Sequence, residues 1–367
     1  MTTVLHVTEK LERHGGTPRK LLYLVQHGDV TRQRHAFVTF FPGNLDDEMR
    51  AAGATVDCVG SSAMTTVTGG VLNIARRERA GVICTHFTRA LVCGIAAARM
   101  LRVPVIHNAH GPASEAPPKG FIARIGRFAS RWTYPHATLV TANSRFTAST
   151  LQKAFGVPER KLRVIVDPVV PRVATRVATC GIPPRRPGTL RLVQVGGLIP
   201  VRRQHLLLDA LAEMVRLGAD ADLLMVGDGP LRGMLGERSR ALGIEDRVHW
   251  LGFRDDVGEV LATADVYVSA IDTEGFGIAV VEAMLQGIPV VVANGGAYPE
   301  ITDNGRHAVL FDPHDAHDLA RKTTELWADV PRRAGLADSA RLYAAQTFAP
   351  RLFIDRFVDL VAEAREA

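Results

Sequence analysis

The stretch Asp272-Thr273-Glu274-Gly275-Phe276-Gly277-Ile278-Ala279-Val280-Val281-Glu282-Ala283-Met284 has the residue types of an anion site bracketed by two carboxylates. It follows an apolar run at 265–269 that reads as a strand, and it opens a helix predicted over 278–286. A glycine-rich turn between a strand end and a helix start gathers free backbone N–H groups at the positive end of the helix dipole. That combination suits a diphosphate, placed by this reading on Gly275, Phe276, Gly277 and Ile278. Glu274 precedes the helix and Glu282 lies about one turn into it, so the carboxylates flank the anion instead of facing it. An ionised carboxylate only accepts hydrogen bonds, which fits hydroxyls of a sugar on one side and of a ribose on the other. An isolated pair of glutamates would read more simply as solvated charges. Their surroundings decide.

Those surroundings are short Val- and Ile-rich runs alternating with segments of helical period, the pattern of a parallel sheet covered by helices. Strands are expected at 4–7, 35–40, 82–84, 103–107, 139–141 and 164–166, with helices at 19–26 and 91–100 between them. The proline-rich segment Gly181-Ile182-Pro183-Pro184-Arg185-Arg186-Pro187-Gly188 fits neither a helix interior nor a central strand. It closes a predicted linker, 173–188. A second series follows, with strands at 191–195, 221–226, 247–250, 265–269, 289–292 and 308–311, and helices at 204–217, 231–242 and 278–286. Each half has a Gly-Gly pair after its first strand, Gly15-Gly16 and Gly196-Gly197. The expected fold class is α/β, with two Rossmann-like parallel-sheet domains at 1–172 and 189–347 facing across a cleft. A C-terminal helix, 348–367, is expected to pack back toward the first.

Bulk composition narrows the function. Hydrophobic residues are 47% and charged residues 22% of 367, the balance of a globular enzyme. No run nears the ~20 apolar residues that span a bilayer. The start Met1-Thr2-Thr3-Val4-Leu5-His6-Val7 reads as a strand and not as a secretion signal, so a cytoplasmic setting is expected. Cys58, Cys84, Cys93 and Cys180 form no C-x-x-C pair, which disfavours a structural zinc or a disulfide framework. The net charge of +6 is spread along the chain and aromatics are only 6%, so a nucleic-acid partner is not expected.

With its context, the segment resembles the retaining glycosyltransferases of the GT-B fold, family 4. Their hallmark E-x-F-G-x-x-x-x-E is complete here as Glu274, Phe276, Gly277 and Glu282. Val195-Gly196-Gly197-Leu198 and Arg202-Arg203 stand where the family has G-R-L followed by Lys-Gly. Gly227-Asp228-Gly229-Pro230 is similar to its G-x-G-P turn, Val248-His249-Trp250-Leu251-Gly252-Phe253 to the strand and turn near the base, and Gly295-Gly296…Pro299-Glu300 to a further loop. In the first half, Gly15-Gly16 resembles the loop over the donor phosphates. His86 and His110-Gly111 resemble the two histidine positions, and Asn143-Ser144 a small polar pair. Two departures stand out: Gly197 replaces the usual phosphate arginine, and Asp167-Pro168 replaces Asn-Gly before the linker.

The resemblance implies a metal-independent, retaining hexosyltransferase without a cofactor. Its nucleotide-sugar donor would be UDP-linked first and GDP-mannose next, and its acceptor a small molecule or a lipid-linked one. Glu274 and His110 would serve the reacting sugar. Gly15, Gly16, Arg202, Arg203 and the 275–278 turn would hold the diphosphate, and Glu282, Gly252 and Phe253 the ribose and base. Asp220-Ala221-Asp222 has the D-x-D pattern of a metal pair but reads as a turn between helix and strand. Three rivals remain. A dehydrogenase would need G-x-G-x-x-G, whereas Gly227, Gly229 and Gly233 are spaced G-x-G-x-x-x-G. The others are a sugar-nucleotide epimerase of the same fold and a non-catalytic binding protein. Within 117–132, Phe121, Ile122, Ile125 and Phe128 interleave with Lys119, Arg124, Arg127 and Arg131, a pattern that permits peripheral membrane contact.

Overall fold

The computed structural model describes residues 1–13, 16–29, 31–113, 121–170 and 181–367, the side chains of 121–124 excepted. These fall into two compact units, Met1–Pro168 with Pro350–Ala367, and Val169–Ala349.

The first unit is built on β1 (Thr2–Thr8), β2 (Gln33–Thr39), β3 (Thr55–Cys58), β4 (Ala80–His86), β5 (Val105–Ala109), β6 (Leu139–Ala142) and β7 (Leu162–Val164). Their order is β3-β2-β1-β4-β5-β6-β7, and every pair is parallel. One face buries Leu5, Val7 and Ile83 against the helices Met64–Arg77 and Thr88–Leu101. The other buries Val4, Val82, Cys84 and Ile106 against Leu24 and against Phe353, Ile354, Phe357 and Val361 of the helix Pro350–Glu366. Helices cover both faces, so the inner strands lack a polar side, and this is why they read as unbroken apolar runs. β3 was not among the expected strands. It is an edge strand of four residues with only Val56 buried, too little alternation to register. β5 lies at 105–109 and not at 103–107: Pro104 has no N–H for the ladder, while the polar His107 and Asn108 continue it.

The second unit repeats the plan with β8 (Leu190–Val195), β9 (Ala221–Val226), β10 (Val248–Gly252), β11 (Val266–Ser269), β12 (Val290–Ala293) and β13 (Val309–Phe311). The order is β10-β9-β8-β11-β12-β13, again parallel throughout. The two parallel sheets are those expected. In each, the strand order reverses beside the first strand, between β1 and β4 and between β8 and β11. The carboxyl edge at that reversal is where open parallel sheets take ligands. Of the segment read as a linker, 173–180 lies outside the described residues. Residues 181–188 lie within the second unit, with Arg185 paired to Asp265 at 2.9 Å and Arg186 to Asp220 at 2.8 Å.

Candidate active site

The turn after β11 has the geometry its sequence implies. Gly277 caps the helix Ile278–Leu285 with φ +88°, and a Cβ there would lie 2.9 Å from Tyr298 Cε1. Only glycine suits both constraints. Gly296, at φ +58°, lets the loop after β12 press onto this turn, since a Cβ there would lie 2.4 Å from the Glu274 nitrogen. Ala297 N–H donates to the Glu274 carbonyl at 2.8 Å and completes the clasp. Glu274 Oε1 accepts from Gly275 N–H at 2.9 Å and from Phe276 N–H at 3.4 Å. Two of the four amides assigned to a diphosphate therefore already hold a carboxylate oxygen, that of Glu274 itself. A phosphate oxygen can take them only if this side chain turns away.

Beneath the turn lies a buried polar pair. Tyr298 hydroxyl and Ser269 Oγ are 2.7 Å apart, and Tyr267 stands beside them on β11. Burial pushes both phenols above their usual range. Glu274 and Glu282 add to the effect on Tyr267, and Glu274 and Tyr267 to that on Tyr298, while Arg202 opposes it in both. One pair of phenols at the carboxyl end of β11 thus lies within electrostatic reach of Glu274 and Arg202, and the Tyr267 phenol of Glu282 too. Glu282 is itself only 6% exposed, so it is not a solvated helix charge.

The two arginines part company. Gly196 follows β8 with φ +146°, and a Cβ there would lie 2.5 Å from Arg202 Nη1, so the guanidinium rests against the glycine backbone. Gln204 Nε2 donates to the Gly197 carbonyl at 2.8 Å and fixes the same loop from the next helix. Gly227, at φ +126°, approaches Gly196 so closely that a Cβ would meet its carbonyl oxygen at 2.3 Å. Arg203 instead pairs with Asp272 and reaches His314 Nδ1 at 3.2 Å. Its charge braces the β11 loop. Gly252 ends β10 at φ +64° and accepts from Gly227 N–H at 2.7 Å, and Phe253 beyond it is exposed.

In the first unit, His110 follows β5 and His86 ends β4, with His110 Nε2 2.9 Å from His86 Nδ1. Burial first, then neighbouring positive charge including Lys20, holds both imidazoles well below their ordinary pKa and hence neutral. Gly16 is the exposed first residue of the helix Gly16–His27, and Gly15 lies outside the described residues. Ser144 caps the helix Arg145–Phe155, its Oγ accepting from Thr147 N–H at 3.0 Å. Asn143 Nδ2 donates to Asp167 Oδ2 at 3.2 Å, and Lys20 meets the other oxygen of Asp167 at 2.5 Å. The departure at Asp167 therefore anchors a lysine near the two histidines. The helix Phe121–Thr133 exposes Ile125, Phe128 and Trp132, with Arg99 over the Trp132 ring at 5.8 Å. Residues 117–120 and the side chains of 121–124 lie outside the described residues.

The family models for "Glycosyl transferases group 1" and "Glycosyltransferase Family 4" match residues 182–343 and 58–172, and together they take in most of the chain. The chain belongs to the group 1 glycosyltransferases. Among related proteins, N-acetyl-alpha-D-glucosaminyl L-malate synthase of Bacillus anthracis is 30% identical over 45% of this chain, a match that spans only 43% of that relative. A GDP-mannose-dependent alpha-(1-6)-phosphatidylinositol monomannoside mannosyltransferase of Mycobacterium tuberculosis is 27% identical over 93% of both chains. The structure of Anabaena HepE in complex with UDP superposes with a TM-score of 0.83 at 23% identity, covering 99% of this chain and 100% of that one. The fold is that of GT-B glycosyltransferases.

For a group 1 glycosyltransferase, the motif residues alone were legible in the sequence. Tyr267, Ser269 and Tyr298 were missed because they read as ordinary strand and loop residues. Only the packing of β11 against the 297–301 segment makes them the floor of the turn. Gln204 and Lys20 were missed for the same reason: each takes its meaning from a partner on another element.

Proposed function

We propose that the protein transfers a hexose or N-acetylhexosamine from a nucleotide-sugar, UDP-linked in our reading, to an acceptor hydroxyl, with retention and without a metal. The observation that carries this is the turn Glu274–Gly277, whose amides hold a carboxylate oxygen in the manner of a phosphate oxygen. In this reading the diphosphate takes the amides of Gly275 and Phe276 and the start of the Ile278 helix, and Glu274 swings out to the sugar hydroxyls. Arg202 answers the negative charge that grows on the leaving group. Glu282 receives the ribose hydroxyls and Phe253 the base, while His110 is assigned to the transferred sugar.

The bond from the anomeric carbon to the diphosphate breaks, and the bond from that carbon to the acceptor oxygen forms on the same face. The acceptor proton passes to the departing diphosphate, which stays bound, so no protein carboxylate need be alkylated. Support for metal independence comes from the D-x-D pair. Both carboxylates lie at the start of β9, opposite the carboxyl edge. Asp222 is held by Arg191 at 2.8 Å, and Asp220 by Arg186 and Thr189. The pair is not a turn: Asp220 precedes β9, and Asp222 is a buried residue of that strand, which lies at 221–226 as expected. Names of relatives favour UDP- and GDP-linked donors alike: HepE is described with UDP-glucose, the mycobacterial relative as GDP-mannose-dependent. A melting-temperature screen with UDP, GDP and their sugars tests the reading, because a ligand that binds only the native state raises the midpoint. Stabilisation by UDP in the presence of a chelator is expected. No response to any nucleotide would contradict the proposal.

A further inference from the structure

Four histidines form a continuous hydrogen-bonded line through the core of the first unit. His35 Nδ1 lies 3.0 Å from His6 Nε2, His6 Nδ1 lies 3.1 Å from His86 Nε2, and His86 Nδ1 lies 2.9 Å from His110 Nε2. Strand register builds the line. β1 pairs Val4 with His35 and His6 with Cys84, and β4 pairs His86 with Asn108. Each histidine therefore stands two residues nearer the carboxyl edge than its neighbour on the strand before, and the period of two keeps all four on one face. Phe37 stacks on His6 at 4.7 Å, and Phe357 of the C-terminal helix lies 6.0 Å from His6 and 6.2 Å from His35. His6, His35 and His86 are 0%, 7% and 1% exposed, so they satisfy one another and not water.

Every contact joins an Nδ1 to an Nε2, and a neutral imidazole carries a single N–H. The protons must then run head to tail. Either each ring donates through Nδ1 toward His110, which presents Nδ1–H beyond the line, or each donates through Nε2 toward His35, which leaves His110 Nδ1 a bare acceptor. A mixed order would set two N–H groups or two lone pairs against each other in the core, an unsatisfied contact that buried polar groups avoid. Burial, mutual proximity and the positive charge of Lys20 keep extra protons off the line, and His35 is held at about 4. His107 lies near its outer half, itself neutral and bonded to Thr85 at 2.9 Å, and the carboxylate nearest Lys20 is Asp167.

We infer that His35, His6 and His86 are positioning residues whose hydrogen-bonded line holds the ring orientation of His110 and ties its tautomer to the sense of the whole line, so that Nδ1 meets a sugar hydroxyl without switching between donor and acceptor on its own. The sugar as ligand rests on the function proposed above; the line itself does not. The same device explains why the sheet carries a polar diagonal where apolar residues would pack as well.

The test is nitrogen-15 NMR of the histidine-labelled full chain, alongside donor kinetics, for wild type, His6→Phe and His35→Phe. His6→Phe keeps a ring against Phe37 but cuts the line in its middle, and His35→Phe removes only the far end. In wild type, the two His110 nitrogens should show one bare and one protonated shift, each unaveraged. In the variants they should move toward a common average, and kcat should fall about tenfold with donor KM little changed, as when the partner that orients a functional imidazole is lost. If His6→Phe does not fold, His35→Phe carries the test alone. A mixed His110 tautomer in wild type, or unchanged His110 shifts in a folded variant, would overturn the inference. Should the protein transfer no sugar at all, the function proposal fails while the shifts still decide on the line.

Discussion

At the residue scale, the most instructive contacts are those of the two adjacent arginines. Arg202 lies against Gly196 at the end of β8, whereas Arg203 is committed to Asp272 and His314. Arg202→Ala should weaken UDP binding about tenfold or more, the effect of removing one charge-assisted contact of about 1.5–3 kcal/mol. Arg203→Ala should weaken it less and instead lower the melting temperature, because it leaves Asp272 without its partner. Calorimetric titration of both variants checks the order, and a larger binding loss for Arg203→Ala would reverse the assignment. This difference was not legible in the sequence, where the two arginines are equivalent cations at a helix start. What separates them is that Arg203 takes a left-handed backbone, φ +52°, which directs its side chain to a loop 69 residues away.

At the element scale, glycines and histidines do opposite work. Gly196, Gly227, Gly277 and Gly296 remove side chains where loops leaving β8, β9, β11 and β12 must let backbone, a ring or, at Gly196, the Arg202 guanidinium approach closely. The histidines instead fill the face between strands and helices with neutral, mutually bonded rings. That choice carries a pH signature. His6, His35, His86, His107 and His110 all titrate lower in the native state than in an unfolded chain, where imidazole sits near 6.5. As pH falls below about 6.5, the unfolded chain takes up protons that the native state refuses. Stability should drop by about 1.4 kcal/mol per pH unit for each such histidine. Lys20, paired with Asp167 at 2.5 Å, is the charge that faces this cluster. Urea unfolding between pH 7.5 and 5 should show a midpoint that is flat above 7 and falls steeply below 6.5. A flat midpoint across the whole range would contradict neutral burial of these rings. The parallel-sheet class and the glycine turn could be read from the sequence, because period and turn chemistry are local. The diagonal could not, since it depends on register between β2, β1, β4 and β5.

At the scale of the whole molecule, two parallel sheets repeat one plan, and the chain returns at Pro350 to complete the unit it began. The helix Pro350–Glu366 buries Phe353, Ile354, Phe357, Leu360 and Val361 there. Each such side chain contributes about 1.5–3 kcal/mol on burial, so loss of the five is comparable to the whole ~5–15 kcal/mol that holds an ordinary domain together. Truncation after Ala349 should abolish cooperative melting of the first unit, seen as loss of one calorimetric transition, and an unchanged two-unit melt would refute the packing described. The sequence reading expects this helix to pack back toward the first domain, but its amphipathic stripe does not name the face that covers it, which is the one carrying Val4, Val82, Cys84 and Ile106.

The central claim is that Glu274 and its turn serve transfer from a nucleotide-sugar. Release of nucleoside diphosphate from UDP- and GDP-sugars, compared between wild type and Glu274→Ala, measures it most directly. The account predicts release from at least one donor, reduced about a hundredfold or more in the variant at an essentially unchanged melting temperature. Equal release by both proteins would contradict it.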